Sequence, residues 1–393
     1  MALDTGAHGE ATRGMDPVPV LTLDIGGTKI AGAIVTFGGN KPTISLASST
    51  PTRADRGGAQ VLATIVDFAG SLLHDAARAG VTPAGIGVSS AGVIRAEDGS
   101  IASATDTMPG WASQPLGEAL RQASGLPVAV LNDVHGHALG EVSYGAATGA
   151  STALVFAVGT GMGGAAVING TVHHGARGVS GHFGHLFHPL AAGLICSCGR
   201  ESHIESVASG SGLARLWAKR AAALAPESAS IGAPWRAATY TGALEPVSET
   251  FVYQSAGGAA AETLPTQVSG GGEVAQRAAA GSSFATAVIH DSGVALGEVV
   301  ASLANCLDPD VVVLSGSVVG AGPAWRQGLE AGFAETAMTP IASTPLVEGS
   351  LGGNAPLIGA GVHLLHSLST QGGADASAPG GTDACSEASL GQP

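Results

Sequence analysis

Charge is scarce in this chain. Asp, Glu, Lys and Arg make up 12% of its 393 residues, and Lys plus Arg number 16 against 30 Asp plus Glu, a formal net charge of −14 at pH 7. No basic run or basic helix stands out, which argues against nucleic acid or an anionic membrane surface as a partner. Long apolar runs are missing too: none reaches the ~20 residues of a membrane span, so no membrane partner is expected. The opening MALDTGAHGEATRGMDP has no apolar core of the kind a secretory signal needs. Cysteine is rare. Four unevenly spaced residues make no disulfide framework, and a reducing cytoplasm is the expected compartment.

What is abundant is apolar and small. Hydrophobic residues reach 45%, and the length suffices for two domains with their own cores. The 61 glycines are too many for helix interiors and follow no strict period, so glycine-rich turns with work for the backbone are expected. Residues 1–17 read as a disordered leader and 367–393, rich in Gly, Ala, Ser and Pro, as a disordered tail. A weaker patch near 226–272 reads as a loop or an insertion.

Between these ends, β-branched runs (VPVLTLDI, IAGAIVTF, AGIGVSSAGVI, PVAVLND, TALVFAVGT, PDVVVLSGS) alternate with stretches of helical spacing. The chain is therefore of the α/β class. VLTLDIGGTKIAGAIV and ALVFAVGTGMGGAAVINGTV share one pattern, strand, glycine turn, strand, as if two lobes began alike.

In DIGGTK, two glycines would let the backbone approach a phosphate, Thr28 adds a hydroxyl, Lys29 a charge, and Asp24 a carboxylate for Mg²⁺ through water. A plain hairpin turn is the competing reading. GTGMGG matches the dinucleotide pattern G-x-G-x-x-G only formally, because that fingerprint needs a following helix and AAVINGTV reads as a strand with an Asn-Gly turn. LSGS makes a third glycine segment. Asn132 and Asp133 stand where a strand hands over to a helix, a place where α/β sheets gather ligands. Asp133 reads equally as the helix N-cap, and a helix N-terminus would keep it ionised.

Taken together, these ordered motifs resemble the ROK family of sugar kinases and repressors, from about Val18 to His366. The resemblance implies a two-lobed actin-like ATPase (ribonuclease H-like) fold, each lobe a mixed sheet flanked by helices, with nucleotide and sugar in the cleft. It implies a small lobe over 18–133, completed by a helix near 355–366, and a large lobe over 134–354. Asp24, Gly26, Gly27, Thr28 and Lys29 then form the first phosphate segment. Gly159, Thr160 and Gly161 form the second, and Gly316 with Ser317 the adenosine segment. Asp133 would be general base on the sugar 6-hydroxyl, with Asn132, His182, His185 and Glu205 bonding the sugar. SSAGVIRAEDGSIASATDTMPGW resembles the loop covering the sugar.

SGHFGHLFHPLAAGLICSCGRESHIES is similar to the family's G-[EH]-x-G-H followed by C-x-C-G-x-x-G-C-x-E. On that resemblance His185, Cys196, Cys198 and a later residue bind a structural Zn²⁺ within 185–203. His203 stands where the family has cysteine, and Ser202 where it has glycine. Two free buried cysteines with unrelated histidines is the competing reading. Cys₂His₂ remains sound zinc chemistry, and the free nitrogen of His185 would face the sugar. His173, His174, His188, His135 and His137 read as packing or surface residues. Bacterial N-acetylmannosamine kinases of the family commonly have His at the position of His182.

The expected activity is therefore ATP- and Mg²⁺-dependent phosphorylation of a hexose, N-acetylmannosamine first, by a homodimer or higher homo-oligomer. A glucokinase or broad-specificity hexose kinase is the nearest alternative. A sugar-sensing repressor is disfavoured, since about seventeen residues before the first strand leave no room for a helix-turn-helix.

Overall fold

The computed structural model describes residues 16–105, 108–224, 250–254 and 261–375. The first half builds one sheet from β1 (Val18–Ile25), β2 (Lys29–Phe37), β3 (Thr43–Pro51), β4 (Ile86–Ser90) and β7 (Val128–Asn132), in the order β3-β2-β1-β4-β7. Helices α1 (Gly58–Arg78) and α2 (Leu116–Ser124) cover its outer face, and a short ribbon, β5 (Val93–Ile94) with β6 (Ile101–Ser103), flanks it. Helix α3 (Asp133–Tyr144) then carries the chain to a second sheet.

That sheet repeats the plan. Strands β8 (Ala153–Val158), β9 (Met162–Ile168), β10 (Thr171–Val172), β13 (Val311–Ser315) and β14 (Leu346–Glu348) lie in the order β10-β9-β8-β13-β14. Each sheet is thus an antiparallel meander extended by two parallel strands. The outer face of the second is covered by α4 (Glu205–Ala208), α5 (Gly210–Leu224), α6 (Gly271–Ala279), α7 (Ser283–Leu307) and α8 (Pro323–Thr336). Helix α9 (Ala355–Asp375) returns to pack with α3 between the sheets, where a third apolar cluster joins β2, β7, β8 and β13 through both helices. The two strand–glycine–strand repeats seen in the sequence are β1–β2 and β8–β9.

Three expectations change. Glycine is not confined to turns: Gly293 and Gly297 on α7 face Gly328 and Gly332 on α8, and a side chain at any of them would strike the other helix's backbone. Gly140 and Gly359 play the same part where α3 meets α9. Small residues four apart let helix axes approach until backbones touch, which outweighs the ~1 kcal/mol propensity cost of each glycine. The tail also starts later than Ser367. Leu364 and Leu368, four residues apart, keep one face of α9 on the inter-sheet core, and the helix runs on to Asp375. Finally, the patch near 226–272 holds a ribbon, β11 (Thr250–Tyr253) against β12 (Glu262–Pro265), pinned where Trp217 Nε1–H donates to Pro265 O at 2.9 Å. Residues 226–249 and 255–260 of that patch, together with residue 225, residues 1–15 of the leader and 376–393 of the tail, lie outside the described residues.

Helix α7 is long and apolar enough by length and hydropathy to cross a membrane, and 61% of that stretch is buried inside the fold, as the central helix of the second lobe's core.

Candidate active site

Ile25, Ser90 and Asn132 pair across β1, β4 and β7, so three strands end level. The DIGGTK turn, Ala91–Gly92 and the start of α3 therefore open on one sheet edge. In the turn, Gly26 N–H donates to Lys29 O (3.0 Å), and Thr28 and Lys29 are exposed at the tip. Thr52, fully buried just past β3, donates Oγ1–H to Gly26 O (2.6 Å) and N–H to Thr28 O (3.0 Å). It braces the turn from outside the motif, and nothing in its sequence context marks it. Burial raises the Asp24 carboxyl to about 6, although Ser89 and Lys29 alongside pull it down.

The cap of α3 is Asn132 and not Asp133. Asn132 Oδ1 accepts from Val134 N–H (3.0 Å) and His135 N–H (3.4 Å), while Nδ2 donates to Gly92 O (2.9 Å). Asp133 becomes the first helical residue, its Oδ1 accepting from Val134 N–H at 2.9 Å. The helix start does not hold it at ordinary acidity. Burial, and then the nearby Asp24 carboxylate, push its pKa up to about 6 against the lowering effect of the Val134 and Asn132 hydrogen bonds. A carboxylate tuned towards neutrality is a stronger base than a surface one.

On the second sheet, the turn Gly159–Gly161 leads into a strand, as its β-branched sequel requires, and Asn169 and Gly170 (φ 52° and 71°) make the hairpin turn at the far end. Gly210 N–H donates to Gly159 O (2.8 Å) and Ser211 Oγ–H to Thr160 O (2.9 Å), so the start of α5 holds the turn. Gly316 (φ 101°) lies where a side chain would strike Val158 O, which sets Gly316 and Ser317 beside that turn.

The glycines of β9 serve packing. Val134 of α3 fills the space over Gly163, Phe183 that over Gly164, and side chains at Gly181 or Gly184 would strike the backbone at Gly164 or Met162. One strand therefore receives both the start of the Asp133 helix and the GHFGH segment. His182 and His185 come together with ring centroids 5.9 Å apart. Glu205, buried at the start of α4, ties these parts: Oε2 accepts from Met162 N–H (3.0 Å), and Oε1 from Ser197 Oγ–H (2.6 Å) and the Cys196 thiol (3.4 Å).

His185, Cys196, Cys198 and His203 offer four ligand atoms within 4.8 Å of one another. His185 Nδ1 lies 3.4 Å from Cys196 Sγ, and His203 Nδ1 lies 3.2 Å from Cys198 Sγ. Bonds of about 2.1 Å to nitrogen and 2.3 Å to sulfur set tetrahedral neighbours about 3.6 Å apart, so the donor set fits Zn²⁺. Ser202, at φ 68°, keeps the left-handed backbone that suits glycine, so the loop holds its course and brings His203 into the ligand position. Burial pushes the Cys196 thiol up to about 11, and a cation is what would release its proton. His185 turns Nδ1 towards this cluster.

Of the remaining histidines, His188 and His135 are buried, while His173 and His174 are exposed. His188 Nε2 meets Glu298 Oε2 at 2.7 Å, and buried His135 spans Ser180 O (2.8 Å) and His174 Nδ1 (3.1 Å). Asp106 and Thr107, in the segment expected to cover the sugar, lie outside the described residues.

Two sheets of one topology, each opening a glycine hairpin at its edge, with a carboxylate on the helix between them, define a two-lobed sugar kinase of the actin-like ATPase fold. Residues 20–366 match the ROK family, and the chain belongs to it. It is 31% identical over 340 residues to a glucokinase of Halalkalibacterium halodurans, covering 86% of this chain and 92% of that one. It is 29% identical over 327 residues to an N-acetylmannosamine kinase of Yersinia pseudotuberculosis, covering 83% and 89%. The ROK hexokinase of Thermus thermophilus superposes with a TM-score of 0.67 at 27% identity, over 90% of this chain and all of that one.

Proposed function

We propose that this hexose kinase transfers the γ-phosphoryl group of ATP to the 6-hydroxyl of N-acetylmannosamine, in amino sugar catabolism. The observation that carries the substrate is His182, beside His185. A carboxylate there could only accept hydrogen bonds, which suits a hydroxyl; an imidazole can donate to an acetamido carbonyl. Glucose is the second reading, favoured by the glucokinase relative at 31% identity.

In this reading Asp133 takes the 6-hydroxyl proton as the phosphoryl group arrives. The glycine turns present backbone N–H groups to the phosphates from both lobes, with Thr28 and Lys29 adding a hydroxyl and a charge, and Gly316 with Ser317 flanking the adenosine. Asn132 and Glu205 hold sugar hydroxyls, with His185 Nε2. Asp24 would hold Mg²⁺, which supplies charge neutralisation at the phosphates; a desolvated carboxylate raised to about 6 suits a cation neighbour. His185, Cys196, Cys198 and His203 would hold Zn²⁺, which supplies rigidity at the sugar side. On the same reading the chain acts in the cytoplasm as a homodimer or higher homo-oligomer, with no nucleic-acid or membrane partner.

A coupled ADP-release assay over N-acetylmannosamine, N-acetylglucosamine, glucose, fructose and mannose tests the substrate. Expected is a kcat/KM for N-acetylmannosamine at least about tenfold above that for glucose, reversed in His182→Glu. Preference for glucose in the wild type would remove the acetamido assignment. The pH profile follows from the base. Protonated Asp133 cannot accept the hydroxyl proton, so kcat/KM should fall as pH drops through about 6, the value to which its carboxyl is raised. A rate flat down to pH 4.5 would exclude that role.

A further inference from the structure

The two lobes are joined covalently at two places, α3 leaving the first sheet and the β14–α9 link returning to it. Both pass Glu141, which is fully buried. Its Oε2 accepts from Ala146 N–H (2.8 Å), Ser350 N–H (3.1 Å) and Ser350 Oγ–H (3.4 Å), and its Oε1 from Leu351 N–H (2.9 Å). Its own carbonyl accepts from Gly145 N–H (3.0 Å) and Ala147 N–H (3.1 Å). Gly145 and Gly349 make room, since a side chain at either would meet the carboxylate. No Lys or Arg pairs with it among the described residues.

A buried carboxylate without a cation is a costly way to hold two loops unless both oxygens are needed as acceptors. Here they are. A glutamine would turn an N–H₂ group towards backbone N–H donors, leaving one side of the clamp repelled. The clamp also sits beside a close helix crossing, where Gly140 packs on Ala355 and Gly359 on Gly136. Any closing of the lobes would have to turn about this crossing, and Asp133 stands on the same helix eight residues away, about 12 Å along its axis.

We propose that Glu141 is a positioning residue of the interlobe hinge: by clamping the end of α3 to the link entering α9, it sets the closed geometry in which Asp133 meets the phosphoryl group. The inference rests on the kinase reading, and its test separates the two. In Glu141→Gln, with glucose and N-acetylmannosamine each paired with ATP, kcat should fall about ten- to hundredfold while sugar KM changes less than threefold, because misalignment near 1 Å costs turnover and not ground-state binding. Small-angle scattering with sugar and a non-hydrolysable ATP analogue should show compaction of the wild type and less compaction of the variant. Glu141→Asp, which keeps both acceptors on a shorter arm, should recover part of kcat. A variant that only melts earlier, with kcat and compaction unchanged, would reduce Glu141 to a structural role. Hydrogen exchange on the wild type judges the clamp without any variant: the Ala146, Ser350 and Leu351 amides should be protected with and without ligands, and unprotected exchange would overturn it. If the wild type phosphorylates no hexose, the kinase reading falls, while the exchange result still decides the clamp.

Discussion

Replacing Asp133 by asparagine should lower kcat by about a hundred- to ten-thousand-fold, the range for loss of a general base, with little change in sugar binding and no loss of stability. The last part follows from the sign of the shift. The Asp133 carboxyl rises from 3.8 to about 6 in the fold. The native state therefore holds a proton that the unfolded chain has already released, and the stability this contributes at low pH is lost as pH rises through 6. At neutral pH the ionised group is a net cost, carried for function. Asparagine removes the charge and keeps an oxygen for the Val134 N–H, now 2.9 Å from Asp133 Oδ1. Thermal melting at pH 7.5 should give a Tm equal to or above the wild type, beside near-absent turnover. A marked drop in Tm would mean that the charge is structural, and near-normal turnover that the base lies elsewhere.

The second large effect concerns the metal clip. Between His185 and His203 regular structure is limited to short 3₁₀ turns and isolated bridges at Phe187–His203 and Ile195–Glu201, and few side chains there are buried. A segment so poor in core needs another cross-link, and a tetrahedral ion is one. The same segment places His185 and, through Ser197 and Cys196, Glu205. Cys198 is exposed, so Cys198→Ala removes a ligand and almost no packing. Elemental analysis should find one zinc per wild-type chain and none in the variant, with sugar KM raised about ten- to hundredfold, as for lost ligand support, and ATP KM little altered. A wild type without zinc, or a zinc-free variant of unchanged sugar KM, would contradict the assignment.

The legible parts of the sequence were those written in local pattern. VPVLTLDI became β1 residue for residue, and the Asn169–Gly170 turn and a strand in place of the dinucleotide helix followed from turn chemistry and β-branching, although that strand already begins at Met162 inside GTGMGG. What stayed hidden depends on residues distant in sequence. Thr52 braces the first turn across twenty-six residues, Glu141 reaches 209 residues to Ser350, and the raised pKa of Asp133 comes from burial in the assembled fold and then from Asp24 on another strand. The helix glycines misled because their partners lie on another helix. The cap moved by one residue because Asn and Asp compete for it on equal terms and only the Gly92 carbonyl, from a different strand end, favours the amide.

Hexose-dependent phosphoryl transfer at Asp133 is the central expectation. The direct measurement is ADP formation with sugar and Mg²⁺-ATP, with the product's phosphate located by NMR, in wild type and Asp133→Asn. One ADP per hexose 6-phosphate is expected in the wild type, with a loss of at least about a hundredfold in the variant. No hexose-dependent ADP, or equal rates in both proteins, would contradict it.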